Sequence, residues 1–256
     1  MGHQYIERLP RTRAWRAVVA MIRDGADAPA VADAVTRAAR TVLLPLPKDP
    51  GVVEAVWHLI RLPIAAQDPD DFPAALRRLG YGTDDDPDLM DLLAGVSDAL
   101  DAAVPPGTRT DLGEVAHTAL VEVLADRLGG PATLFPDDPP PDVRAALAAA
   151  ATVRRFGQLA AAYFARLVRK LLDSFVSRAV ADHVGEGRRF RTLAHQAAFT
   201  DSLDRYAGEV AAGVDEYAGQ WFAKWEYQAD GRISRDQAGA FLAHAGEKLD
   251  WALGRG

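Results

Sequence analysis

Residues 143–191, VRAALAAAATVRRFGQLAAAYFARLVRKLLDSFVSRAVADHVGEGRRFR, decide how the chain is read. They hold ten Arg and Lys against three Asp and Glu, inside a chain of net charge −7. On a wheel of roughly 100° per residue, Phe156, Tyr163, Phe164, Leu167, Val168, Leu171, Leu172 and Phe175 occupy one broad half. Arg155, Arg166, Arg169, Lys170, Asp173 and Ser177 gather on the other half. A face that wide is too broad for a two-stranded coiled-coil seam and suits a helix packed against several neighbours. Its large apolar side chains contribute on the order of 12–24 kcal/mol when buried, before chain entropy is set against them. The pattern predicts a central helical stretch from about Val143 to His183.

Upstream the charge runs the other way. Residues 49–142 carry nineteen acidic side chains against five basic ones. Segregation of this kind implies two surfaces of opposite sign, which face each other or face different partners.

Helix punctuation recurs along the chain. Asp27-Ala28-Pro29, Asp49-Pro50 and Asp86-Pro87 each offer a capping carboxylate with Pro at or near the first helical position. Asp111 with Glu114, and Ser234 with Gln237, have capping-box spacing. Gly25, Gly80, Gly129 and Gly185 stand where helices stop. Between these marks apolar residues recur at three and four, as in Val53, Val56, Trp57 and Ile60, a stripe that ends near Pro63. Further stripes are Trp15 to Ile22, Val31 to Val42, Leu89 to Leu100 and Leu112 to Leu124. No period-two run with hairpin turns is evident, so strands are not expected. Downstream, helical signals run from about Leu193 to Tyr227 and from about Arg235 to Leu253.

The fold expected is all-α: an irregular multi-helix bundle of about eight to ten helices, short in the N-terminal half, with three long helices in the C-terminal half. The division expected is an N-terminal helical layer over 1–130, a Pro/Gly-rich linker or loop over 131–141, and a C-terminal bundle over 142–256. One continuous domain is the alternative. The linker reading rests on two Gly and five Pro between Gly129 and Pro141.

Bulk composition narrows function mainly by exclusion. With no Cys in the sequence, disulfides, thiolate nucleophiles and iron–sulfur or zinc–thiolate sites are ruled out. The opening Met-Gly-His-Gln-Tyr-Ile lacks the apolar core of a secretory signal, and Ile6 stands where myristoylation wants Ser or Thr. Phe156 to Val180, the most apolar stretch, is interrupted by Arg166, Arg169, Lys170 and Asp173, so a membrane span is not expected. The expectation is a cytoplasmic protein, and the Ala, Arg, Leu and Asp bias suggests a GC-rich bacterial genome.

The candidate contacts for a partner or an anion are Arg155, Arg166, Arg169, Lys170, Arg188, Arg189, Phe190 and Arg191. Arginines around a phenyl ring can grip phosphates while the ring stacks on a base. The same arginines can instead pair with the Asp-rich first half, within the chain or across a dimer. The favoured reading is that pairing, because an acidic chain opposes the approach of nucleic acid.

Other constellations are weaker. Val18 to Leu43 echoes a helix-turn-helix with Arg37 and Arg40 outward, yet nothing breaks the helix after Val35. Glu114-x-x-His117 has di-iron spacing without a second copy. Glu226 to Gln237 superficially fits a calcium loop but lacks its first aspartates and its last Glu. Tyr217, Trp221 and Trp225 share a helical face near Phe222 and Trp251, as core or as an exposed aromatic patch. No nucleophile elbow or phosphate loop occurs, and no catalytic residue, cofactor or metal is expected. Three functions therefore stand. The first is a non-catalytic helical interaction or assembly subunit of a bacterial multi-protein complex, with a protein partner or a second copy. The second is a nucleic-acid-binding accessory protein using the basic 154–191 surface, and the third an enzyme or ligand-binding bundle whose pocket sequence does not reveal.

Overall fold

The structure is a computed structural model describing residues 13–43, 46–82, 84, 86–129, 142–228 and 232–253. Ten α-helices are present among them: α1 (Arg13–Arg23), α2 (Ala28–Leu43), α3 (Pro50–Ala65), α4 (Phe72–Arg78), α5 (Leu89–Ala103), α6 (Asp111–Leu128), α7 (Val143–Ala150), α8 (Val153–Ala181), α9 (Leu193–Gln228) and α10 (Arg235–Leu253). Two 3-10 turns, Leu46–Lys48 and Pro106–Thr108, precede α3 and α6. No strand occurs among the described residues. The helices are short in the N-terminal half, and the three longest groups of apolar pattern form α8, α9 and α10, as expected. The expected 131–141 linker, and the side chains of Phe175 and Trp251, lie outside the described residues.

The central stretch is not one helix. It stops at Ala150 and restarts at Val153. The Ala151 N–H closes a tight turn onto the Ala148 carbonyl at 3.1 Å. Thr152 then opens α8, its carbonyl accepting from the Phe156 N–H at 2.8 Å and its hydroxyl from the Arg155 N–H at 3.4 Å. A threonine hydroxyl that captures a nearby N–H offers the backbone an alternative to continuing the helix. Three smaller expectations shift as well. The N-cap of α5 is Asp88 rather than Asp86, in a reciprocal box with Asp91. The N-cap of α6 is Thr110, one residue before Asp111. Helix α3 runs through Pro63 and ends at Ala65, with the Ala66 N–H bonded to the Leu62 carbonyl.

α8 is the axis of the core. Phe156, Leu159, Tyr163, Phe164, Leu167, Val168, Leu171, Leu172 and Val176 are all buried along it. α9 lies antiparallel to it, since Val153 meets Gly219 and Gly157 meets Asp215. A Cβ at Gly219 would collide with the Val153 carbonyl, and one at Gly157 with the Asp215 backbone, so both glycines are needed for the two helices to approach. This closeness lets the Phe156 and Phe222 rings stack with centroids 4.1 Å apart, and Phe241 of α10 joins them at 6.5 Å from Phe156. α10 packs in turn on α3, and α6 packs on both α3 and α8. The buried side chains of both halves of the chain form one contiguous cluster.

The start of α3 and the start of α6 are built together. Asp49 Oδ1 accepts from the N–H groups of Gly51 (3.0 Å) and Val52 (3.1 Å), which caps α3. Its Oδ2 accepts from the Thr110 hydroxyl at 2.6 Å, and that hydroxyl oxygen accepts from the Gly113 N–H at 2.9 Å. One carboxylate thus serves two helix ends and helps fix the angle between α3 and α6.

Glycines within α9 separate by role. Gly219→Ala drives a methyl into α8 and should destabilise the protein by about 1–3 kcal/mol. Gly208 has no atom within 4 Å of the Cβ position, so Gly208→Ala should stabilise by roughly 0.5–1 kcal/mol. Denaturant unfolding of the two variants checks the pair; equal effects would contradict the packing described.

Candidate functional site

The charged side of α8 is largely engaged by the chain's own acids. From α6, Glu122 accepts from Arg166 at 3.1 Å and from Lys170 at 2.6 Å, and Asp126 takes the second Arg166 nitrogen. From α9, Asp204 pairs with Arg169, whose guanidinium also lies 3.3 Å from Asp173. Positions 166, 169 and 170 are neighbours on the helix surface, so the three cations meet their partners as one group. Arg155 is exposed, with no carboxylate in ion-pair reach among the described residues.

The loop after α8 is likewise turned inward in part. Arg189 donates to the Ile22 carbonyl at 2.7 Å and to the Ala26 carbonyl, satisfying groups left open where α1 ends. Its guanidinium lies 4.8 Å from the ring centres of both Phe190 and Phe199. Phe190 is 3% exposed, so its ring belongs to the core and offers no face to a base. Arg188 donates to the Asp182 carbonyl and remains exposed, as does Arg191. The eight candidate residues therefore do not form one surface.

The aromatic group is divided between core and surface. Phe222 is fully buried, whereas Tyr217, Trp221 and Trp225 are half-buried. Tyr217 stacks on Phe241 at 5.6 Å and on His244 at 6.1 Å, and Trp221 meets Phe241 at 4.8 Å. Trp225 lies 6.0 Å from Trp221, with the Lys224 ammonium 5.7 Å from its ring. The three half-buried rings thus follow one another along α9, two of them packed on Phe241 of α10.

A buried polar group on α3 carries no motif in the sequence. Glu54 and His58, 4% and 1% exposed, sit one turn apart on α3. Arg235, at the start of α10, grips Glu54 with two nitrogens at 2.5 and 2.6 Å, and its guanidinium rests 4.0 Å from the centre of the Trp57 ring. His58 Nε2 lies 3.3 Å from the same carboxylate, and its Nδ1 lies 2.6 Å from the Tyr81 hydroxyl. The Trp57 indole donates to the Ile233 carbonyl at 2.8 Å. A neutral ring that donates from Nε2 and accepts at Nδ1 satisfies every contact. The available signal was the run VVEAVWHLIRLPI, apolar on all sides. A helix of that kind is buried all round and takes its Glu and His inside with it.

Electrostatics follow burial here. Burial pushes the Glu54 carboxyl upward, but hydrogen bonds from His58 and Arg235 outweigh it and leave its pKa below the ordinary value. Burial lowers the pKa of His58 in spite of Glu54 beside it, and raises that of Tyr81 well above the usual phenol range. Beside Glu54 and Arg235 a cleft of ≈ 550 Å³ opens between the 3-10 turn before α3, the end of α5 and the first turn of α10.

The remaining motifs resolve simply. α2 passes straight through Val35, and Arg37 pairs with Asp33 of its own helix; the Arg40 side chain lies outside the described residues. His117 lies 3.2 Å from the Ser97 hydroxyl and 4.0 Å from Asp101, and no group of three or more His, Asp or Glu among the described residues is placed to hold a metal ion. Asp230 and Gly231 of the calcium-like segment lie outside the described residues, while Ser234 and Gln237 form the reciprocal cap at the start of α10. No helix among the described residues is long and apolar enough to cross a membrane. The chain matches no family model, and neither a curated protein nor a solved structure is detectably similar to it.

Because the folded state holds His58 below its unfolded pKa, the unfolded chain binds the extra proton first as pH falls. The stability tied to His58 is complete above about pH 6.5 and is lost on acidification below it. Glu54 acts in the same direction at lower pH. Unfolding free energy measured from pH 8 to pH 5 should therefore fall for the natural chain, and the fall should be shallower in His58→Gln. Parallel curves would contradict a neutral buried His58.

Proposed function

We propose that this chain is a non-catalytic helical interaction subunit of a bacterial multi-protein assembly, working in the cytoplasm. The observation that carries the reading is the row Tyr217, Trp221 and Trp225, half-buried along α9. Large aromatic side chains with an apolar body and a polar handle dominate interface energetics, and they gain most when a partner completes their burial. Charge supports the same reading. Arg166, Arg169 and Lys170 are neutralised within the chain, Arg189 is tied to backbone carbonyls, and Phe190 is core. Arg155, Arg188 and Arg191 stay exposed, but the buried Phe190 offers no ring for a base beside them, and the net charge of −7 repels a polyanion. The partner is a protein or a second copy of this chain.

Affinity capture from the native host and light scattering of the purified chain test the proposal, each run with Trp225→Ala beside the natural chain. The expected result is a stoichiometric partner, or a self-associated species, whose affinity falls about tenfold or more in the variant while helical content is unchanged. A solitary monomer that captures nothing, or binding to nucleic acid that weakens steeply with salt, would overturn it.

A further inference from the structure

The geometry points to the cleft beside Arg235 as a binding site for a small organic carboxylate with an apolar body. The site stands apart from the aromatic row and does not depend on the interaction reading. Its centre is an arginine whose position is already fixed. Glu54, 4% exposed, holds the Nε and Nη2 edge of Arg235 at 2.5 and 2.6 Å. Trp57 supports one face of the guanidinium at 4.0 Å. His58 holds Glu54 from behind and is itself held by the Tyr81 hydroxyl. An arginine clamped in this way has little rotamer freedom left to lose when it meets a ligand.

The other side of Arg235 is open. Nη1 takes no partner among the described residues, the side chain is 54% exposed, and the residue lines the cleft of ≈ 550 Å³. Lys48 lines the same cleft, exposed and without an ion pair among the described residues. The wall is mixed: Pro50, Val53 and Val104 give it an apolar part, beside the Glu54 carboxylate that holds Arg235. Asp236 also lines the cleft, exposed, and it sets the charge the site accepts. A polyanion would meet Asp236 as a like charge. A monovalent, planar carboxylate needs only the free guanidinium edge and the ammonium, with its body against the apolar part of the wall.

Calorimetric titration of the full chain with acetate, butyrate and hexanoate tests the site, with hexylamine and inorganic phosphate as contrasts. Millimolar binding of hexanoate is expected, strengthening up to about fourfold for each methylene that the wall covers. Lys48→Gln should weaken hexanoate roughly three- to tenfold, and Asp236→Asn should tighten it about two- to fivefold. The two changes are at exposed positions and act in opposite directions, which a loss of folding would not reproduce. Absence of binding at about 50 mM hexanoate, equal affinities in both variants, or preference for hexylamine or phosphate would overturn the assignment.

Discussion

Everything in this fold leans on the close approach of α8 and α9. Two glycines, one from each helix, let backbone meet backbone or side chain where any larger residue would force the pair apart. From that contact the phenyl rings of Phe156 and Phe222 come into stacking range, and Phe241 brings α10 against them. α10 then carries Arg235 to Glu54 on α3. The order is one of dependence: a hairpin of two long helices sets the position of the third, and the third closes over the helices of the first half. Helix–helix distance is the controlled variable, and small residues at the crossing set it.

Charge is arranged on that frame so that part of its segregation is cancelled inside the molecule. The basic side of α8 faces α6 and α9, which supply Glu122, Asp126 and Asp204. Each such pair, partly exposed, contributes little on its own, on the order of 0–1 kcal/mol. Their joint consequence is larger for function than for stability, because they decide which cations remain available. What is left over is concentrated elsewhere: the half-covered aromatic row on α9, and an arginine at the start of α10 whose free edge borders a cleft.

The sequence was most legible where one element could be read from its own residues. The wide apolar face of α8 follows from periodicity alone, and α9 and α10 begin and end within a residue of the expected Leu193–Tyr227 and Arg235–Leu253, the second opened by the Ser234 cap. The break before α8 was hidden because Thr152 is neither Gly nor Pro and the alanines before it continue a helical pattern. Pro63 resembles a helix end in sequence, yet in the last turn only one backbone bond is lost to it and the helix continues. The sites were harder. Glu54 meets Arg235 across 181 residues, and Arg166 meets Glu122 across 44, distances over which local spacing carries no information. Charge totals by segment point to an acidic counterpart for α8 without naming it. The position of Phe190 beneath Arg189 depends on α1 and could not be read from the loop itself.

Whether α8 gives its cations to its own chain decides which surfaces are left for a partner. A double-mutant cycle between Glu122→Gln and Lys170→Gln, followed by unfolding free energy at low and high salt, measures that directly. Internal pairing predicts a favourable coupling of about 0.3–1 kcal/mol that shrinks as salt is added. Unfavourable coupling at low salt would mean that the two side chains do not meet as an ion pair, and would contradict the arrangement described.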